Sequence, residues 1–432
     1  MMQTLRTICL LLIAPLGALS AQSKLDSLRL PTLRDAAHMT DPRAAQLEIL
    51  AAQSALRLRN IGAELRPALS IESEARYQSD VARIPVNLPG ATIPQPPRHT
   101  YDARLVAQQR LYDPSAVPRR AVEHAQIAES QARVRAVLYS INESVNIAFF
   151  TALRSQAQAA ELQTTVTDLE AQLSVAEARV KAGTALPSET NTIRAELLRR
   201  RQAVAEQTAV RHAAIAVLAE LTGRQIDSAT PLAAPDLAAK VPNTRVYQGL
   251  RNRPEYVQFE LSRNVFRRME QVRAAQDKPR ISAFGRAGYG RPGLNPLSDR
   301  FDSYWLAGVQ LQWTPWNWGT TQRDRQIIAL QRDLTITEEQ TFTNSLRRAF
   351  EQDLVSIDRL EAALIQDDEI IALRENILSE TRARYAEAVI TSAEYVDRQT
   401  DLLAARLSRA THGVELSQAR AHLLTTLGIE VR

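Results

Sequence analysis

Cysteine is nearly absent from this 432-residue chain, and its single copy, Cys9, sits in an apolar leader. Residues 1–21 read as a signal peptide. Arg6 supplies the charged start, Thr7 to Leu16 the apolar stretch, and Ala18-Leu19-Ser20-Ala21 the small-residue cleavage site. That stretch is too short to cross a bilayer. Cys9 lies inside it rather than at the cleavage point, so it is not a lipid-attachment cysteine. The processed chain then has no thiol, which excludes disulfides, thiolate metal sites and a thiol nucleophile. Past the leader no uninterrupted run of 18 apolar residues occurs, which argues against a membrane-spanning helix. There is no glycine-rich phosphate loop and no serine in a nucleophile-elbow pattern. His38, His99, His124, His212, His412 and His422 are scattered without metal-ligand spacing. The sequence points away from an enzyme, a cofactor or a metal site. The net charge is +5, but Lys and Arg are interleaved with Asp and Glu. That pattern makes solvated helix faces, not a nucleic-acid patch.

Glycine and proline are also missing from two long stretches, Pro118 to Gly183 and Gly319 to Gly413. Ala, Leu, Gln, Glu and Arg dominate both, and all are strong helix formers. As one helix the first would be roughly 95 Å long. Val134, Leu138, Ile141, Val145, Ala148 and Ala152 step by four and three, as do Leu162, Val166, Leu169, Leu173, Ala176 and Val180. Phe350, Ile357, Leu364, Ile371, Leu378 and Tyr385 recur every seven. This is coiled-coil spacing. Ile370, Leu373 and Ile377 form a second row beside the last seam, as suits a helix packed between two neighbours in a wall. Gly183 with Pro187 ends the first run and starts a helix over about 188–222. The stretch Ala388 to Ser392 is the matching turn, before a helix over about 393–427.

What is present is written twice. Arg66-Pro67-Ala68-Leu69-Ser70-Ile71 returns as Lys278-Pro279-Arg280-Ile281-Ser282-Ala283, and Asp41-Pro42-Arg43 as Arg253-Pro254-Glu255. Leu218 to Gly223 returns as Leu423 to Gly428. The unit is too long for a solenoid. It reads as a duplicated half: residues 22–223 and 246–428, joined by a linker at 224–245 with Pro231, Pro235 and Pro242.

Each half carries two short segments of period two. Tyr101, Ala103, Leu105, Ala107, Gln109 and Leu111 alternate with Asp102, Arg104, Val106, Gln108 and Arg110. Between Phe301 and Trp313 the apolar set includes Trp305, Ala307, Val309 and Leu311. Such alternation predicts strands with one apolar and one polar face. Strands are expected at about 67–79, 100–112, 279–290 and 301–314, the first and third from weaker alternation at matched positions. Proline-rich loops, about 82–99 and 291–300, join each pair. All four tryptophans, Trp305, Trp313, Trp316 and Trp318, cluster on or just past the last strand, as in the aromatic girdles of membrane barrels. Four strands cannot close a channel, and lipid does not tolerate open edges. If the strands lie in a membrane, several copies must share one barrel.

In this order the elements resemble the outer membrane efflux protein family, the TolC-like channels, over about residues 33–428. Leu33-Arg34-Asp35-Ala36-Ala37 with Asp41-Pro42 resembles the family's first-helix signature, and Leu250-Arg251-Asn252-Arg253-Pro254-Glu255 its repeated version. Leu65 to Ser70 resembles the start of a strand. Gln109 to Pro114 and Trp313 to Gly319 resemble strand-to-helix transitions. The resemblance implies an α+β membrane protein: a long coiled-coil helical barrel plus four transmembrane β-strands per protomer, sharing a 12-stranded barrel in a homotrimer. It implies a place in the outer membrane lipid, with the helical part in the periplasm. The implied role is the passive exit duct of a tripartite efflux or type I secretion system. A periplasmic adaptor and an inner-membrane pump would be its partners. The competing class is a periplasmic coiled-coil adaptor or scaffold.

The resemblance also marks the helix turns as the periplasmic entrance. Glu394 and Asp397 align with the family's paired aspartates, Glu189 with the matching acid of the first hairpin, and Tyr385 with a tyrosine of the closed-state network. Spacing i, i+3 puts Glu394 and Asp397 on one helix face. Charge complementing a helix N-terminus is an equal reading of the three acids. Two departures stand out. Ile390 replaces an arginine, which puts an arginine-based lock in doubt. Ala388 replaces the turn glycine, which predicts a differently shaped turn.

Overall fold

In the computed structural model, which describes residues 27–82, 95–241 and 251–430, the stretches poor in glycine and proline are helices. The leader at 1–21, most of the first strand-joining loop and the end of the linker lie outside the described residues. Helix α7 (Thr320–Ala386) runs 67 residues without a break, or about 100 Å. The earlier stretch is divided instead into α3 (Ala116–Tyr139) and α4 (Ile141–Lys181). At the break the Ser140 amide and hydroxyl both donate to the Val137 carbonyl, at 3.1 and 2.7 Å. A tight i−3 bond and a competing side chain divide the helix where no glycine or proline does.

The remaining helices are α1 (Leu30–Thr40), α2 (Gln46–Ala63), α5 (Pro187–Thr222), α6 (Pro254–Gln276) and α8 (Ser392–Leu427). Beside the sheet the packing order is α2, α3, α6, α7; at the far end it is α5, α4, α8, α7. The molecule is therefore a wall of helices one layer thick. Of the seven-residue row on α7, Phe350, Ile357, Leu378 and Tyr385 are buried. Leu364 and Ile371 are partly buried against the same cores. Ile370, Leu373 and Ile377, the second row, are exposed in the single chain.

Midway along the wall α1 crosses it and closes the largest core. Leu30, Leu33, Val145, Phe149, Phe150, Ile215, Leu218 and Leu424 meet there. Leu232 and Leu237 of the linker join them, and Leu28 pairs with Leu232 as an isolated parallel bridge. Arg34 is buried in this core. Its guanidinium donates to Asn146 Oδ1 at 2.5 and 3.0 Å and to Thr425 Oγ1 at 3.0 Å. Burial lowers its pKa to about 10. One window of the 116–181 stretch is long and apolar enough to cross a bilayer, but 61% of it is buried inside the protein. Its apolar character belongs to this core.

The strands are β1 (Ala68–Tyr77), β2 (His99–Tyr112), β3 (Arg280–Arg291) and β4 (Asp302–Gln312). They form one antiparallel sheet in sequence order. Strand β2 enters α3 after a register shift between Arg110 and Tyr112. The outer edges of β1 and β4 pair with nothing among the described residues.

Candidate functional site

Cross-strand partners share a sheet face, so the register sorts every strand residue to one side. One row reads Ile71, Leu105, Ala287, Trp305; the next reads Leu69, Ala107, Gly285, Ala307. Val309 and Leu311 stand on the same face. Among the described residues nothing covers it: Ile71 is 85% exposed, Trp305 76% and Val309 68%. An uncovered apolar face this wide marks a surface made for another apolar phase or partner.

The other face is polar. Its rows read Glu74, Asp102, Gly290, Asp302; then Glu72, Arg104, Gly288, Tyr304; then Ser70, Val106, Arg286, Leu306; then Ala68, Gln108, Phe284, Gly308. Arg104 donates to Glu72 at 2.8 Å and to Asp102 at 2.9 Å, and Tyr304 donates to Asp102 at 2.6 Å. Arg76 pairs with Glu74. Two glycines are spaces for rings. A Cβ on Gly288 would lie 2.7 Å from the Tyr304 ring, and one on Gly308 2.8 Å from Phe284. Both aromatic rings therefore lie flat along the sheet.

Aromatics crowd both ends of the strands. At the end away from the helices Tyr77 meets His99, and Phe301 stacks with Tyr101 and Tyr289 at centroid distances of 6.3 and 5.6 Å. At the helix end Tyr112, Trp313, Trp316 and Trp318 are exposed. The Trp313 indole donates to the Asp277 carbonyl at 3.0 Å. Trp305 differs from the other tryptophans, since it stands within the apolar face rather than at its end.

The far tip of the wall is closed by polar contacts between the two hairpins. Asp168 on α4 accepts from three groups: Arg382 of α7 at 2.6 Å, and Tyr395 and Gln399 of α8 at 3.1 and 2.7 Å. Arg179 of α4 donates to the last carbonyls of α7, that of Tyr385 at 2.9 Å and that of Ala386. A cation there complements the helix dipole. Tyr385 stacks on Tyr395 at 5.3 Å, with the Arg179 guanidinium 5.4 Å from its ring centre. Burial pushes the Tyr395 phenol up to about 12. Burial and the nearby Glu189 carboxylate raise that of Tyr385.

The sequence-derived tip residues divide accordingly. Tyr385 is only 2% exposed and faces the seam between hairpins rather than an open surface. Glu189 is half-buried in the first turn of α5. Glu394 and Asp397 are exposed on one face of α8, while Tyr395, Val396 and Gln399 turn inward. Thr391 caps α8 by accepting from the Glu394 amide, which places Glu394 at the third helical position. Asp168, Arg179, Arg382, Tyr395 and Gln399 carried no sequence signal.

The two turns have the same shape, contrary to the expectation from Ala388. Gly183 has φ 71° and Ala388 φ 58°. The Gly183 and Thr184 amides donate to Val180 and Arg179; the Ala388 and Val389 amides donate to Tyr385 and Arg384 in the same pattern. Helix-end hydrogen bonding imposes the left-handed residue, and alanine accepts the strain. An arginine does hold the tip, but it is Arg179 of the first hairpin rather than a residue at position 390.

Among the described residues no His, Cys, Asp or Glu cluster could hold a metal. No protein-family profile and no curated protein matches the sequence. Solved structures do match. CusC, described as forming a transmembrane channel, aligns with a TM-score of 0.69 and 15% identity over 93% of this chain and 92% of its own. The outer membrane protein VceC of Vibrio cholerae aligns at 0.65 and 15% over 93% and 97%. The open-state outer membrane channel MtrE of Neisseria gonorrhoeae aligns at 0.65 and 16% over 94% and 90%. Over 93–94% of its length the chain shares the TolC-like α+β fold of these structures.

Proposed function

We propose that this protein is an outer membrane channel, the passive exit duct of a tripartite efflux or type I secretion system. One observation carries the reading: a four-stranded antiparallel sheet, apolar on one face, polar on the other, with that apolar face uncovered and both edges unpaired among the described residues. Open edges are incompatible with lipid. Three copies joined edge to edge make a twelve-stranded barrel with a wet interior, and the exposed Ile370, Leu373 and Ile377 row supplies a matching seam between helical walls. The two aromatic ends suit the two membrane interfaces. Shape similarity to outer membrane channels supports the same assignment.

In this reading the barrel lies in the outer membrane and the helical wall crosses the periplasm. An inner-membrane pump, joined through a periplasmic adaptor, provides the energy. Glu394 and Asp397 on one exposed face of α8, with Glu189, place carboxylates around the entrance, attracting cations and repelling anions. Tyr385 and the Asp168 contacts hold the hairpins together in the closed form.

The test is fractionation of expressing cells followed by native mass of the detergent-extracted protein. A three-chain particle from the outer membrane is expected. A soluble periplasmic protein needing no detergent would refute the channel and favour the adaptor class.

A further inference from the structure

Among the described residues, Arg286 on the polar sheet face is an exposed cation with no ion pair. Arg76 pairs with Glu74, and Arg104 with Glu72 and Asp102. Arg110 pairs with Glu64 and Asp113, and Arg280 lines the cavity that holds those two acids at the foot of the sheet. Arg286 stands exposed at the middle of β3. Among the described residues no carboxylate lies within ion-pair distance of it. Its guanidinium rests 5.6 Å from the centre of the Phe284 ring. Its cross-strand partners are Val106 and Leu306, which offer no charge. Of the nearby acids, Glu72 and Asp102 pair with Arg104; Asp302, two rows away, accepts from the Ser298 hydroxyl at 3.3 Å and keeps its charge.

The surroundings leave that charge standing clear of the wall. Tyr304 and Phe284 lie flat because Gly288 and Gly308 have no side chain. Apolar neighbours lower the local dielectric and strengthen the field of an unpaired charge. A flat aromatic under a guanidinium holds it in place by cation–π attraction without cancelling its charge.

We propose that Arg286 is an anion-favouring selectivity element at mid-height of the barrel, opposite in sign to the acidic tip. This rests on the reading that three chains close one barrel, which sets three guanidinium groups at a single level. Small anions, and the anionic groups of larger cargo, are held there as they pass. Cargo leaving this channel meets carboxylates first and a cationic ring second.

The experiment is the permeability ratio of the purified full-length channel in planar bilayers, read from the reversal potential in a potassium chloride gradient. It is run in an Glu394→Gln, Asp397→Asn background so that the tip does not mask the barrel. In dilute salt, Arg286→Gln is expected to lower anion-over-cation permeability about two- to threefold, and Arg286→Lys to retain the background value. Near 1 M salt, where the screening length falls to about 3 Å, the background channel should lose its preference. A ratio unchanged by Arg286→Gln overturns the proposal while leaving the channel intact. If that variant fails to assemble, a background ratio that does not change with salt overturns it equally. Absence of any conductance or three-chain particle in the unmutated protein would instead sink the channel reading itself.

Discussion

The two ends of this molecule solve opposite problems. At the tip every element finds its partner inside one chain: Asp168 gathers three donors and Arg179 caps α7. At the sheet the chain stops short, with unpaired edges and an apolar face open to its surroundings. On the proposed channel reading, the difference separates the part that stands alone from the part that depends on assembly. The hairpins are held by contacts a lone protomer already has, whereas the sheet awaits further copies and an apolar medium.

The sharpest way to break that comparison is a charge on the uncovered face. Val309→Arg is expected to cost roughly 2–4 kcal/mol of insertion stability at mid-membrane. Leu306→Arg, on the opposite face, should cost far less. Yield of membrane-assembled protein measures both, and equal losses would mean the faces are not distinct. Next in size, Asp168→Ala should weaken the tip by about 2 kcal/mol, since three donors lose their acceptor. Amide hydrogen exchange should rise near residues 160–185 and 382–400 and stay unchanged in the strands. Uniform protection would contradict a local tie between hairpins.

Smaller still is the turn. Ala388→Gly should stabilise by about 1 kcal/mol, because a Cβ in left-handed backbone is penalised. Gly183→Ala should destabilise by a similar amount, and thermal midpoints of the two variants should move in opposite directions. The smallest effect is one of pH. His422 hydrogen-bonds Asp353 at 2.7 Å, and that bond raises its pKa above the usual histidine value. The fold therefore favours its protonated form, and the contribution is fully present below about pH 6.5 and fades as pH rises through the raised value. The side chain is 40% exposed, which limits the effect to less than about 1 kcal/mol. Asp353→Asn should remove this slope from a stability-against-pH profile.

Much of the architecture was legible because it is periodic. The row from Phe350 to Tyr385 reads every seven residues and is buried or partly buried throughout. The alternation around Leu105 and Val309 coincides with strands. Contacts that depend on one side chain at long range were not legible. Asp168 is over 200 residues from Arg382, Tyr395 and Gln399, and no local pattern links them. The break at Ser140 was hidden because a serine makes it where glycine and proline do not. Ala388 was misread because composition reports what a residue prefers, while the hydrogen bonds of a helix end decide what it does.

The unbroken length of α7 has a mechanical meaning. A rod of about 100 Å that tilts by one degree at the sheet sweeps its far end through about 2 Å, enough to separate hydrogen-bonded groups such as those around Asp168. The first half has a joint at Ser140 and can take up such a tilt midway, whereas the second half passes it on in full. Any widening of the tip therefore falls unequally on the two hairpins: the second swings as a lever and the first bends to follow.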